Sequence, residues 1–464
     1  MTTPSGEALA IGGVPKPVDA LLAALRRAQA SRLHVSELLI AFSGGLDSTC
    51  LLASAADGRC LHGLPVRALH VDHGWSQESA RWAGHCLETA RQLGVACEVQ
   101  RLGGQAPAGA SREAWARDRR YAALQSAMVQ GSLLLTAHHE ADQAETFLLM
   151  ALRGSGPHGL AGIAPERTFG PGLMVRPFLD LPRSDLEAFA RARGLRWLED
   201  PANADESFDR NFLRARVLPL LAERWPAATT TLTRSARWQR ALARLEASEG
   251  AALLEGVGAT DVLPLSVLAD EPAERAMQVL RAWIRARGAS LPPAACLDRV
   301  LNEVLPAAGD RQPAVRWGTW ALRRHRGALY LTAACLPRLA GTQQWRWSET
   351  LQLSVGRLRA VPGTGDGIAL GVLAGRVLEV RARQGGERLH RAGDAHHRTL
   401  KHLWQDAGVP PWQRERTPLL YLDGTLVAVP GLGYAAETAA PADQPAVRID
   451  WQPIGDNTPL VPDL

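Results

Sequence analysis

LLIAFSGGLDSTCLL, residues 38–52, is an apolar run that breaks at a glycine pair and restarts as a second apolar run. Leu38, Leu39 and Ile40 suit a buried parallel strand, and Cys50, Leu51 and Leu52 begin a helix, with Asp47-Ser48-Thr49 supplying polar groups expected to cap it. Gly44 and Gly45 allow a sharp turn and a close ligand approach, so that successive N–H groups converge with the helix N-terminus on one anion. The glycine and lysine spacing of a Walker A loop is missing, which removes the usual P-loop kinase and GTPase readings.

Outward from this turn, strands alternate with helices. An amphipathic helix carrying Leu21, Leu22, Leu25 and Ala28 precedes it. Strands expected at 66–71, 95–101 and 133–137 follow, separated by helices near Trp82–Leu93 and over 111–130. Such alternation predicts an α/β fold, a doubly wound parallel sheet of the Rossmann-like kind, whose ligand lies beyond the C-terminal strand ends. The SGGLDS turn, Asp72-His73-Gly74 and His138-His139 all arrive at that edge. After the fourth strand comes TAHHEADQAETFLLM, in which His138, Asp142 and Glu145 fall at i, i+4 and i+7 if a helix starts near His138. An imidazole and two carboxylates on one stripe bind a cation, orient an amine or manage a proton.

Composition sets bounds. A chain of 464 residues predicts two or three domains, and 46% hydrophobic with 21% charged residues is a soluble, globular balance. No apolar stretch is long enough to span a bilayer and no secretory signal opens the chain, so a cytoplasmic protein without a membrane partner is expected. Six scattered cysteines without a CxxC pair or zinc-ligand spacing predict buried free thiols, with neither a metal cluster nor a disulfide framework. Net charge is +5, concentrated in residues 205–244 and 381–416, each with eight basic residues against four acids, a pattern that suits a polyanion track. A helix over 229–249 is expected to bury Trp238, Leu242 and Leu245 while Arg234, Arg237, Arg240 and Arg244 take the other side. Residues 265–306 read as a helix pair, 314–334 as a hairpin around His325-Arg326-Gly327, and 337–363 as a linker. Trp412, between Pro410-Pro411 and Arg414, suits either a nucleotide stack or a packing corner.

Ser43-Gly44-Gly45-Leu46-Asp47-Ser48 resembles the SGGxDS loop of the PP-loop, N-type ATP pyrophosphatases, and HHEADQAET is similar to the HHxDDQxET signature of tRNA(Ile)-lysidine synthetases. AWARDRRYAAL (114–124), RGSGPHGLAGI (153–163), RPFLDLPRSDLEAFA (176–190) and LRWLEDPANADESFDRNFLRARVLP (195–219) follow in that family's order, and VPPWQRERTPL resembles its C-terminal stretch. The likeness spans about residues 36–434 and departs at Ala141, where the family has an Asp.

The resemblance implies a ligase that uses ATP with Mg²⁺ to adenylate the wobble cytidine of a CAU-anticodon tRNA(Ile) and then joins L-lysine to its C2, releasing AMP and pyrophosphate. Ser43, Gly44, Gly45, Leu46, Asp47 and Ser48 would hold ATP, with Asp47 also on the metal. Asp47, His138, Asp142, Glu145 and Arg117 would act in catalysis, with Arg120 near phosphates. Arg210, Arg214, Arg391, Arg398, Lys401 and Arg414, joined by Arg388 and Arg416, would meet tRNA. The expected domains are a PP-loop catalytic domain over 1–219, a mostly helical substrate-binding domain over 220–336 and a small α+β tRNA-binding domain over 337–464. Monomer and homodimer both stay open. A PP-loop thiolase and an ATP-switched RNA-binding protein are the alternatives, told apart by whether AMP and pyrophosphate form only with tRNA.

Overall fold

The structure is a computed structural model and describes residues 16–30, 34–72, 74, 78–104, 112–200, 205–257, 261–269, 271–307 and 313–454. His73, most of the 103–109 loop and residues 201–204 of the 195–219 stretch lie outside the described residues. The chain divides into two compact units, Met1–Arg244 and Leu245–Leu464.

In the first unit, strands β1 (Glu37–Ala41), β2 (Val66–Asp72), β3 (Ala96–Arg101), β4 (Ser132–Leu135), β5 (Glu166–Phe169) and β6 (Gly172–Val175) form one sheet in the order β3-β2-β1-β4-β6-β5. All neighbours are parallel except the β5/β6 hairpin at the edge. The alternation within β1 explains why helices cover both faces. Leu38 and Ile40 enter one core with Leu51 and Leu52 of helix Leu46–Asp57 and Leu186 and Phe189 of helix Arg183–Ala192, whereas Leu39 enters another with Leu69, Leu124 and Leu134. The chain leaves β1 toward β2 and β3, then returns to β4 on β1's other side, so the winding reverses between β1 and β4. A crevice therefore opens beyond the C-terminal ends of β1 and β4, where an open α/β sheet takes its ligand. The hairpin Glu166–Val175 was not anticipated, because each four-residue strand is too short to show alternation beside Gly170-Pro171-Gly172.

The helix expected over 229–249 runs over Ala228–Val257, but its orientation is the reverse of the expected one. Trp238, Leu242 and Leu245 are 69%, 45% and 62% exposed, while Thr233, Ala236 and Ala243 are buried. The cause is close approach. Thr233 Oγ1 donates to Glu140 O at 3.2 Å, and Arg240 Nη2 donates to Ala161 O and Ile163 O at 3.1 and 2.9 Å. Only small side chains fit at that distance, and the guanidinium satisfies Ala161 O, which a leucine would leave unpaired, while Ile163 O also accepts from Gln143 Nε2 at 2.7 Å.

In the second unit, helices Ala273–Ala286 and Ala294–Arg299 pack on a four-stranded antiparallel sheet through Leu280, Trp283, Leu297, Leu322 and Leu329. The hairpin expected around His325-Arg326-Gly327 forms between strands Trp320–His325 and Ala328–Ala333 through a two-residue turn, with Arg326 and Gly327 both at positive φ, and Ala314–Trp317 adds a further strand beside it. Residues 337–363 are not a linker. Strands Thr342–Trp345, Leu351–Leu353 and Gly356–Thr364 lie there, and Trp345, Leu353, Val355 and Leu358 are core residues between a five-stranded and a four-stranded sheet. Strand-period leucines were masked by the glycine and polar content around them. Trp412 is a packing corner, edge-on to Tyr330 and His325 at centroid distances of 5.4 and 6.0 Å with Arg323 over its face.

Trp238→Ala should change stability by no more than about 0.5 kcal/mol, as for an ordinary surface site, and Arg240→Ala by roughly 1–3 kcal/mol because it strands the Ala161 carbonyl. Urea melts of the two variants check this, and a larger loss for Trp238→Ala would contradict the outward orientation.

Candidate active site

Helix Leu46–Asp57 begins without a side-chain cap: its N-cap is Gly45, not a residue of the Asp47-Ser48-Thr49 group expected in that role. Ser48 instead braces the turn. Its hydroxyl lies 2.9 Å from Ser43 Oγ, receives the Ser43 N–H at 3.3 Å and sits 3.1 Å from Gly45 O. Gly44 adopts φ +83°, and a Cβ there would come 2.8 Å from Cys86 Sγ, so glycine is required at this position by both conformation and space. Gly44 O also accepts the Leu198 N–H at 3.0 Å, which ties the loop to the 195–219 stretch. An uncapped helix start beside a braced turn leaves N–H groups for an anion.

At β4, helix Glu140–Leu152 starts two residues later than expected, with His139 as its N-cap. His139 Nδ1 accepts the Ala141 N–H at 3.2 Å and the His139 N–H donates to Asp142 Oδ2 at 2.9 Å, a reciprocal capping box. Ala141 thus contributes its backbone to the cap. Because Nδ1 accepts, a ring proton belongs on Nε2, which faces Asp47 Oδ2 at 3.7 Å and Asp142 Oδ2 at 3.8 Å. His139 was not among the expected site residues. Its position beside His138 was visible, but its N-cap geometry depends on where the helix starts.

His138 sits before the helix, so the expected stripe with Asp142 and Glu145 does not form. Its Nδ1 lies 3.0 Å from Thr136 Oγ1. Burial, with Arg176, Arg210 and Arg117 adding to it and Asp142 opposing, brings the ring down to about 4, so it is neutral at pH 7. Burial likewise raises the Asp47 carboxyl above its ordinary value, against His139 and Arg183, and Asp47 Oδ1 is buried with no hydrogen-bond partner. For Asp142, burial is outweighed by His139, His138 and Arg214, and the carboxyl is held below the usual range.

Arg214, expected at tRNA, faces these acids. Its Nε and Nη2 donate to Glu145 at 2.7 and 3.0 Å, and Nη2 also reaches Asp142 Oδ1 at 3.3 Å. Glu145 is fully buried behind this fork and so does not present a free carboxylate to an ammonium group. Arg210 Nη2 donates to Thr146 Oγ1 at 3.2 Å. Arg117 is exposed, over the Tyr121 ring at 5.2 Å, with Arg120 and Arg167 near the same ring. Buried Arg176, which was not expected in this role, donates to Ala164 O and adds positive charge near His138.

The second unit holds the remaining basic residues expected at tRNA, and most are engaged within it. Arg391 pairs with Asp394, Arg398 with Asp406, and Arg388 donates to His397 O. Arg414 donates to Val409 O at 2.7 Å. Arg416 is buried and donates to Val355 O and Ile454 O, so it is a structural residue and not a surface cation. Lys401 is exposed on helix Leu400–Asp406.

Comparison with known proteins assigns the class from the first unit: a family model described as "PP-loop domain" matches residues 20–221, a span that includes the uncapped turn after β1. Models described as "TilS substrate binding domain" and "TilS substrate C-terminal domain" match residues 263–330 and 378–451. A tRNA(Ile)-lysidine synthase of Methylococcus capsulatus is 39% identical over 429 residues, covering 89% of this chain and 96% of that protein. Those of Xanthomonas campestris pv. campestris and Escherichia coli O157:H7 are 40% and 36% identical, covering 89% and 90% of this chain and 95% and 96% of theirs. The chain belongs to the tRNA(Ile)-lysidine synthase family.

Two variants test the site's electrostatics. A carboxyl whose folded pKa exceeds its unfolded one binds more protons when folded, so its contribution to stability falls as pH rises past the ordinary value of about 3.9. Asp47→Asn should therefore melt at the same or higher temperature at neutral pH in the unliganded protein while losing adenylation. A lower melting temperature would show that the Asp47 charge stabilises the fold. Burial raises the Glu145 carboxyl as well, against the Arg214 fork, but Gln keeps only one of the two acceptor oxygens and leaves the guanidinium charge unpaired, so Glu145→Gln should destabilise by roughly 2–3 kcal/mol, below the full cost of breaking a buried pair because Arg214 is 36% exposed. Thermal denaturation decides, and an unchanged melting point would rule out a stabilising Arg214 fork.

Proposed function

We propose that the chain ligates L-lysine to C2 of the wobble cytidine in a CAU-anticodon tRNA(Ile), through an adenylated tRNA, releasing AMP and pyrophosphate. The observation that carries this reading is the uncapped turn at Gly45 facing the Asp47, His139 and Asp142 group across the β1/β4 crevice in a chain of this family. ATP's pyrophosphate end meets the N–H groups at the start of helix Leu46–Asp57, where developing negative charge is stabilised as it leaves. The unpartnered Asp47 Oδ1 fits a cation. Mg²⁺ held there would screen the phosphates. Attack by the cytidine C2 oxygen on the α-phosphorus expels pyrophosphate, and the lysine side-chain amine then attacks C2 and expels AMP. The neutral His138 ring accepts a hydrogen bond from this amine, and the proton the amine sheds goes to solvent, because a ring brought down to about 4 is a poor proton acceptor at pH 7. Asp142 is the acid left to meet the ammonium before deprotonation, since Glu145 is taken up by Arg214.

We assign Arg117 and Arg210, with Arg388, Arg391, Arg398, Lys401 and Arg414, to tRNA phosphates, the engaged arginines exchanging an internal acceptor for a phosphate on binding. Among the described residues no helix is long and apolar enough to cross a membrane, and we place the protein in the cytoplasm with its tRNA.

Incubation with ATP, labelled lysine and a CAU-anticodon tRNA(Ile) transcript should give labelled lysidine at the wobble position on nucleoside analysis, with AMP and pyrophosphate in step. Label in another nucleoside, or ADP with phosphate, would overturn the reading. Lys401→Ala should flatten the salt dependence of tRNA binding by about 0.7–0.9 in log–log slope, and an unaltered slope would remove that residue from the phosphate contacts.

A further inference from the structure

The loop between strands Arg388–Leu389 and Arg398–Thr399 carries His390 and His397, and both rings lie near Glu437 of a distant segment. The segments are fastened by their backbones: Ala436 N–H donates to His390 O at 2.8 Å, and Arg391 bridges to Ala435. One potential ligand atom from each of His390, His397 and Glu437 lies within 4.8 Å of the others, and the two rings are 5.1 Å apart, tilted by 40°. His390 Nε2 lies 2.9 Å from Asp394 O and Nδ1 lies 3.1 Å from Glu437 Oε1. This resembles the surroundings of a metal-ligating imidazole, whose second nitrogen donates to a backbone carbonyl and so fixes which nitrogen faces the ion. Asp394 is itself held by Arg391 at 3.0 and 3.2 Å, which steadies the loop that offers this carbonyl.

We propose that His390 Nδ1, a His397 ring nitrogen and a Glu437 carboxylate oxygen form a site for a divalent transition-metal ion of the Zn²⁺ class. Two imidazoles and one carboxylate suit a borderline ion and disfavour Mg²⁺, which takes oxygen ligands in octahedral geometry. A three-ligand set leaves a fourth tetrahedral position for water. On binding, the proton shared between Nδ1 and Glu437 leaves to solvent, and the ion takes its place between the same two atoms. Forty-seven positions separate His390 from Glu437, so no ligand spacing betrays the site.

Zn²⁺ titration of metal-stripped full-length protein tests this. Because Cys60 and Cys335 are exposed thiols that also take zinc, the comparison uses a background in which both are serine. One equivalent should bind by calorimetry and raise the melting temperature. His397→Ala and Glu437→Gln, both exposed side chains whose loss leaves the metal-free melt unchanged, should each weaken that equivalent at least tenfold. A hundredfold excess of Mg²⁺ should leave Zn²⁺ binding intact. Equal stoichiometry and affinity in the parent and both variants, no zinc bound to the parent, or displacement by Mg²⁺ would each overturn the proposal.

Discussion

The Arg214 fork on Glu145 is the interaction on which the catalytic half depends, because it lets a parallel sheet tolerate three acids at its mouth. Asp47, Asp142 and Glu145 sit within each other's electrostatic reach, and burial alone would drive all of them toward the neutral form. One guanidinium pairs with the deepest carboxylate and touches a second, helping His139 and His138 bring Asp142 below the usual range, while burial still holds Glu145 and Asp47 above it. The arginine comes from the π-helical turn Leu213–Val217, so the 195–219 stretch closes the site from outside the sheet. The Leu198 N–H to Gly44 O bond makes the same link at the phosphate loop. The wide turn and the borrowed backbone bond thus serve one purpose, holding charge where ligands are to arrive.

Much of this arrangement was readable from residues. That the first four strands are parallel and doubly wound follows from apolar runs spaced by helices, whereas the place where the winding reverses, between β1 and β4, is fixed by strand pairing and not by those runs. The SGGLDS turn was readable because glycine at positive φ and a helix start leave a local signature. What escaped was whatever depends on partners distant in the chain. Periodicity shows that helix Ala228–Val257 has two faces, but not that small residues and Arg240 dock while Trp238 faces water. A count of arginines shows basic stretches, but not that Arg214 turns inward to carboxylates or that Arg416 is sealed against strand ends. The separation of His138 from the stripe rests on a two-residue shift in where a helix begins, which a capping box decides and a helical wheel does not.

Ala141 shows how position limits the meaning of a side chain. The family's motif has an acid there, yet this residue occupies the second position of a helix whose cap is made by its N–H and the ring of His139. Alanine supplies that N–H equally well and has a high helix propensity. The electrostatic work near the cap is carried by Asp142, which also receives the His139 N–H.

Trp412, finally, bears on how this protein can be taken apart and recombined. It comes from the stretch matched by the C-terminal family model, yet its ring sits against Tyr330, His325 and Arg323 of the preceding sheet, where His325 Nε2 also lies 3.1 Å from Gly408 O. The two matched segments of the second unit therefore share an aromatic joint. Grafting the C-terminal segment of a relative onto this chain would be governed by the match at that joint more than by the sequence of the connection. A chimera that carries the preceding hairpin along with the graft keeps both halves of the joint together, and that is the cut at which lineages could exchange this part as a working module.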